Sequence, residues 1–178
     1  MNTIINKKLP TLSFCAYASN SGKTTLLTQL IPALIKRGLR VSVIKHAHHS
    51  FDIDYPCKDS YKLRQAGAVQ TMIASNTRWA LITEHPDTFE PNLSASLAQL
   101  DSSLCDLVLV EGFRHEAIPK IEVFRASLEQ PLLAAQDSTI IAIASDTALD
   151  SHLPVLDLNN IKQIADFIIK NTIQSNYP

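Results

Sequence analysis

Short apolar runs alternate with stretches of helical periodicity along the 178 residues, the pattern of an α/β fold. Thr11 to Tyr17 is a compact apolar run and reads as a buried first strand. A polar loop, Ala18 to Lys23, follows it. Leu26, Leu27, Leu30, Ile31, Leu34 and Ile35 then recur at helical spacing, and Gly38 is placed to end that helix. Pro32 lies inside the pattern and predicts a kink or break near Thr28. Further strands are predicted at Arg40–Lys45, Leu104–Val110, Ile121–Phe124 and Thr139–Ala144. Val69–Ala74 and Trp79–Glu84 are β-like around a turn at Ser75-Asn76. Short helices are predicted at Asp59–Ala66 and near Ser94–Leu100, and a final amphipathic helix at Asn160–Ile173. Residues 46–57 and 86–91 read as loops.

Strand, loop, helix, strand at the start implies a crossover and parallel pairing. The fold class expected is therefore α/β, three-layered, with a mostly parallel central sheet flanked by helices. One domain spans 1–178: an extension to residue 10, a core over 11–156, and a C-terminal helix and tail over 157–178. Ligands in such sheets bind beyond the carboxyl ends of the strands. The loop at 18–23 and the acid at 111 both follow strands, so both fall on that edge.

Composition narrows the picture. Apolar residues make up 46% of the chain, enough for a continuous core. A formal net charge of −1 gives no reason to expect nucleic acid or a membrane surface as partner. No apolar run approaches the roughly 20 residues that span a bilayer, and the first ten residues do not read as a signal peptide. Cys15, Cys57 and Cys105 form no C-x-x-C pair, and a reducing cytoplasmic compartment is the simplest expectation.

The chemistry centres on Ser19-Asn20-Ser21-Gly22-Lys23-Thr24-Thr25. Gly22-Lys23-Thr24 supplies the end of the phosphate-loop pattern G-x-x-x-x-G-K-[ST]. Backbone N–H groups converge on phosphate oxygens there, and the following helix aims its positive end at the anion. Lys23 would neutralise β and γ phosphates, and the Thr24 hydroxyl would ligate Mg²⁺. Tyr17 stands where the pattern has its first glycine, which puts the loop's entry geometry in question. Leu107-Val108-Leu109-Val110-Glu111-Gly112 resembles a Walker B strand with Glu for Asp. Glu111 would hold Mg²⁺ or orient water, and Gly112 would let backbone approach the γ phosphate. Asp106 at the strand start reads as structural.

The stretch Lys45-His46-Ala47-His48-His49, followed by Asp52, Asp54, Lys58, Asp59 and Arg64, has three readings of equal weight: a transition-metal site, a nucleotide or substrate loop, and a solvated loop. Asp146, after the late strand, has the chemistry to accept from guanine N1–H and N2–H₂, and equally to cap a helix. Arg78-Trp79 fits a core edge or dimer interface better than a pterin stack. Arg114 and His115 read as phosphate-reaching or solvated.

These stretches, in this order, resemble the molybdopterin-guanine dinucleotide biosynthesis adaptor family MobB. The resemblance runs from residue 11 to about 147 and includes Lys45-His46 with His48-His49, Asp52-x-Asp54, and Lys58-Asp59-Ser60 with Arg64-x-Ala66-Gly67-Ala68. It also includes Arg78-Trp79-Ala80-Leu81, Glu111-Gly112-Phe113 with His115, and Ile143-Ala144-Ser145-Asp146. It implies a P-loop NTPase-like fold and a homodimeric GTP-binding adaptor with at most slow hydrolysis. It implies a role beside the guanylyltransferase MobA and other molybdenum-cofactor proteins, with GTP and Mg²⁺ as ligands and molybdopterin or its guanine dinucleotide as a further one. It also implies that His48, Asp52, Asp54 and Asp59 face the nucleotide or a cofactor; in the GTP-binding reading Asp52 and Asp54 complete the metal shell or gate the site. The competing functions are a metal-delivery GTPase using the His46–His49 loop and a small-molecule P-loop kinase.

Overall fold

Alternate residues of one strand explain the layering. In β5 (Leu107–Glu111), Leu107 and Leu109 enter one apolar cluster while Val108 and Val110 enter another on the opposite face of the sheet. A strand buried on both faces reads as a continuous apolar run, which is why this segment stands out in the sequence. The computed structural model describes residues 9–47, 50–85 and 89–173. Among the described residues, those up to 46 together with those from 93 onward form one compact unit, and those between form a second.

The larger unit is built on a six-stranded sheet in the order β2-β5-β1-β6-β7-β8, every neighbouring pair parallel. β1 is Thr11–Cys15, β2 Val41–Lys45, β6 Lys120–Phe124, β7 Ile140–Ser145 and β8 Val155–Asp157. The chain moves outward from β1 in one direction to β2 and β5, and in the other through β6 to β8, so the strand order reverses beside β1. That reversal opens the crevice where α/β sheets take ligands. On one face α1 (Lys23–Ile35) and α4 (Ile161–Ile168) bury Leu26, Leu30, Leu34, Ile164 and Ile168 against Leu12, Phe14 and Ile121. On the other, α3 (Leu93–Ala98) brings Leu93 to Val108, Val110 and Phe113. The result is the expected three-layered, mostly parallel α/β architecture.

Two local expectations change. α1 runs through Pro32 without a break. Proline removes the bond to the Thr28 carbonyl, but Thr28 and Pro32 both lie on the exposed side, where water reaches that carbonyl. β8 was not expected from the sequence; three residues at a sheet edge leave too short a pattern. Gly38 ends α1 as foreseen, at φ 85° with its N–H bonded to the Ile35 carbonyl. The final helix continues past Ile168 as a π-helical turn, Ile169–Ile173.

The smaller unit holds α2 (Asp59–Gln65) and an antiparallel ribbon of β3 (Gln70–Ala74) and β4 (Trp79–Thr83). The ribbon's turn closes through Ser75, whose N–H donates to the Arg78 carbonyl and whose Oγ accepts from the Arg78 N–H.

Candidate functional site

α1 starts without a side-chain cap. Gly22 occupies the cap position at φ 91° and accepts the first helical bond from the Leu26 N–H at 2.8 Å. First-turn amides have no intrahelical partner, and no serine or aspartate side chain at the cap competes for them here. No acidic residue sits in the first turn either. The helix therefore presents free donors and the positive end of its dipole to an anion. Asn20 at φ 61° and Gly22 put two left-handed residues into the loop, the backbone of an anion-binding nest.

Tyr17 resolves simply. Positive φ falls on Asn20 and Gly22 and not on residue 17, so no glycine is required there. The tyrosine side chain is exposed.

Lys23 folds back over the loop, donating from Nζ to Ser21 Oγ at 3.1 Å and to the Ala18 carbonyl at 3.4 Å. Burial holds its pKa below the ordinary lysine value, with Lys45 adding to that and Glu111 opposing it. A lysine desolvated in this way gains most from an arriving polyanion. Ser19, Asn20, Thr24 and Thr25 are exposed, and Ser21 is buried.

The parallel register of β2 and β5 sets Lys45 opposite Glu111. Glu111 accepts from Thr24 Oγ1 at 2.8 Å and from Lys45 Nζ at 3.3 Å. The start of α1 and the acid at the end of β5 are thus joined directly. A hydroxyl and a carboxylate side by side are hard oxygen donors, the set Mg²⁺ takes beside phosphates, so these residues fit that ion. The sequence places Lys45 in the 45–49 stretch without linking it to Glu111; the parallel register makes that link.

Gly112 also has a close protein neighbour. At φ 101° it leaves room for His46: a Cβ at 112 would lie 2.7 Å from the His46 Cβ. The His46 N–H donates to the Glu111 carbonyl at 2.8 Å, and its ring stacks on Phe113 at 4.6 Å. The Gly112 carbonyl accepts from Ser13 Oγ at 3.1 Å.

Across the edge, Asp146 Oδ1 accepts from the Ala126 N–H at 3.0 Å and Oδ2 from Arg125 Nη1 at 3.4 Å. Arg125, a second residue the sequence reading passed over, also donates from Nε to the Ser21 carbonyl at 3.1 Å. Asp146 borders an open depression of about 590 Å³ with Thr147, Leu149, Val155, Asp157 and Gln163. That volume lies within the range of small-molecule sites.

In the smaller unit, Asp52 and Asp54 both pair with Arg64, which also pairs with Glu84 at 2.8 Å. Arg64 and Asp54 are half-buried, and the guanidinium is held above its usual pKa by Glu84, Asp54 and Asp52. The two aspartates expected at the metal shell are here partners of an arginine. Asp59 is exposed at the start of α2 and pairs with Lys62 at 3.4 Å. His48 and His49 lie outside the described residues. Among the described residues no group of three histidine, cysteine or acidic side chains is arranged to hold a metal. Arg114 and His115 are exposed and pair with each other at 3.1 Å. Asp106 is structural as read: Arg40 binds it through the backbone N–H at 2.9 Å and through Nη2 at 2.7 Å.

Comparison with known proteins decides the family. Residues 11–146 match the family described as molybdopterin guanine dinucleotide synthesis protein B, MobB. The chain belongs to the MobB family. The molybdopterin-guanine dinucleotide biosynthesis adapter protein of Escherichia coli (strain K12) is 49% identical over 163 residues, covering 91% of this chain and 93% of its own length. The adapter protein of the same description from Haemophilus influenzae is 46% identical over 164 residues, 92% of this chain and 90% of its own. A crystal structure of molybdopterin-guanine biosynthesis protein B (mobB) superposes with a TM-score of 0.69 at 29% identity, covering 90% of this chain and 98% of that one. The MobB match spans β1, the phosphate loop, β5 and Asp146.

Proposed function

We propose that this MobB-family chain is an adapter in molybdopterin-guanine dinucleotide biosynthesis that binds GTP with Mg²⁺ at the loop between β1 and α1. The family match and the two adapter proteins of 49% and 46% identity support the adapter role. The nucleotide reading is carried by one observation above all: α1 opens on an uncapped glycine with Lys23 over the loop and Thr24 bonded to Glu111. Lys23 and the first-turn amides hold phosphate. Thr24 and Glu111 hold the ion, which when bound draws charge off the phosphate oxygens. Asp146 reads the base from the edge of its depression, using carboxylate lone pairs beyond those given to Arg125 and Ala126.

Hydrolysis is slow in this scheme. Glu111 is already engaged by Thr24 and Lys45, which leaves it a poor base for water. The chain acts with a guanylyltransferase of the MobA type and with other proteins that handle the cofactor, whose pterin or dinucleotide is a further ligand. A homodimer is supported by the β3–β4 ribbon. Met72, Leu81 and Trp79 share one face of it by register and stay exposed, Trp79 at 65%. Exposed apolar faces of this kind mark protein contacts.

Reconstitution tests the proposal. Purified guanylyltransferase, molybdopterin and Mg-GTP are incubated with and without the chain, and the dinucleotide is quantified by chromatography. The chain is expected to raise the yield, and Lys23→Ala to abolish that gain. Equal yields with and without the chain, or full stimulation by Lys23→Ala, would refute it.

A further inference from the structure

We propose that Arg125 is a positioning residue that couples Asp146 to the shape of the phosphate loop. The inference rests on the nucleotide-binding reading above and adds a residue and a linkage to it.

The placement follows from register. β6 lies between β1 and β7, with Cys15 paired to Glu122 and Phe124 paired to Ser145. The residue just beyond β6 therefore stands between the loop that follows β1 and the acid that follows β7. Arg125 is that residue, and its guanidinium bonds both ways: Nε to the Ser21 carbonyl at 3.1 Å, Nη1 to Asp146 Oδ2 at 3.4 Å.

The bond to Ser21 has a directional consequence. A trans peptide is planar, with its C=O and N–H on opposite sides. No cis peptide is present among the described residues. Fixing the Ser21 carbonyl toward Arg125 therefore turns the Gly22 N–H the other way, to the side away from the guanidinium. Orientation of that amide is what an anion nest depends on. Gly22 also eases the arrangement: a Cβ there would stand 3.1 Å from both Nε and Nη2 of Arg125, and the guanidinium would have to give way. The glycine thus leaves the arginine uncrowded and accommodates the left-handed backbone.

Asp146 holds the other end. Its Oδ1 is fixed by the Ala126 N–H at 3.0 Å, so the carboxylate presents Oδ2 to Arg125 from a defined position. A base bound at Asp146 and a phosphate bound at Gly22 then share one intermediary. The alternative is that Arg125 merely staples two strand ends together.

The two are separated by a ligand with phosphates and no base. Binding of Mg-tripolyphosphate and of Mg-GTP is measured by calorimetry for the wild type, Asp146→Asn, Arg125→Gln and the double variant. Asp146→Asn keeps an oxygen for the Ala126 N–H and preserves the fold, as a thermal melt checks. Arg125→Gln is expected to weaken both ligands about tenfold, the worth of one hydrogen bond involving a charged group. Asp146→Asn is expected to weaken tripolyphosphate about threefold although it touches no phosphate, and to add nothing in the Arg125→Gln background. The Gly22 amide resonance should also move in Asp146→Asn. Unchanged tripolyphosphate affinity and an unmoved Gly22 resonance, with GTP binding reduced, would overturn the coupling and leave Asp146 reading the base alone. Absence of binding of either ligand to the wild type would overturn the nucleotide reading and the coupling with it. If Arg125→Gln fails to fold, the Asp146→Asn arm alone decides.

Discussion

Replacing Gly112 by alanine should destabilise the larger unit more than any left-handed glycine alone explains. Gly112 sits at φ 101°, where a Cβ costs about 1–2 kcal/mol. The new methyl would also lie 2.7 Å from the His46 Cβ and 3.6 Å from the His46 Cα and N. His46 cannot swing aside freely, since its N–H is bonded to the Glu111 carbonyl and its ring is stacked on Phe113. Forcing extra volume into such a contact costs about another 1–3 kcal/mol. Gly38→Ala supplies the control: φ is 85° and no atom lies within 4 Å of the added Cβ, so only the backbone cost applies. Urea unfolding of both variants should place Gly112→Ala about 1–3 kcal/mol below Gly38→Ala. For a chain of this size that corresponds to a further drop of about 2–12 °C in Tm. Equal losses in the two variants would refute the claim that Gly112 exists to admit His46.

Three further outcomes follow from the geometry. Glu111→Gln should lower the Mg²⁺ dependence of triphosphate binding while leaving binding without Mg²⁺ within about threefold, read by titration with and without chelator; equal loss in both would move Glu111 out of the ion's shell. Lys120 is buried with its amine on Asp137 at 3.1 Å, so Asp137→Asn should cost about 1–3 kcal/mol near neutral pH. Burial tends to raise the Asp137 pKa, but bonds from Thr139 and Lys120 outweigh it and hold it below the usual aspartate value. A depressed acid contributes stability above its unfolded pKa and loses it as pH falls through the folded one, so the deficit of Asp137→Asn should shrink below about pH 4; a deficit constant down to pH 2.5 would contradict this. Burial, reinforced by Glu122, pushes the Cys15 thiol up to about 12, and Cys105 is buried as well, while Cys57 is exposed. A disulfide reagent at pH 8 should therefore titrate one thiol in the native chain and three after denaturation; fast reaction of two or more would show the core open at β1 or before β5.

Much of the fold was legible because its signals are local. β5 and β7 are apolar on both faces over most of their length, so each reads as a nearly unbroken run, and Gly22-Lys23-Thr24 sits where strand turns to helix. What escaped was set by register. Arg125 belongs to no motif, and the 45–49 stretch that holds Lys45 does not tie it to Glu111; each matters because parallel pairing carries its strand end to the edge where Glu111, Ser21 and Asp146 stand. In a parallel sheet every basic residue at a strand's carboxyl end is worth singling out for that reason. Asp52 and Asp54 drew notice by residue type and by resemblance, and neither could show that both pair with Arg64.

The central claim is that the loop between β1 and α1 binds a guanine nucleoside triphosphate. Calorimetric titration of the purified chain with Mg-GTP and Mg-ATP, repeated with folded Lys23→Ala, tests it most directly. The account predicts saturable binding with GTP preferred over ATP and lost in the variant by about tenfold or more. Undiminished binding to Lys23→Ala, or no binding of GTP to the wild type, would contradict it.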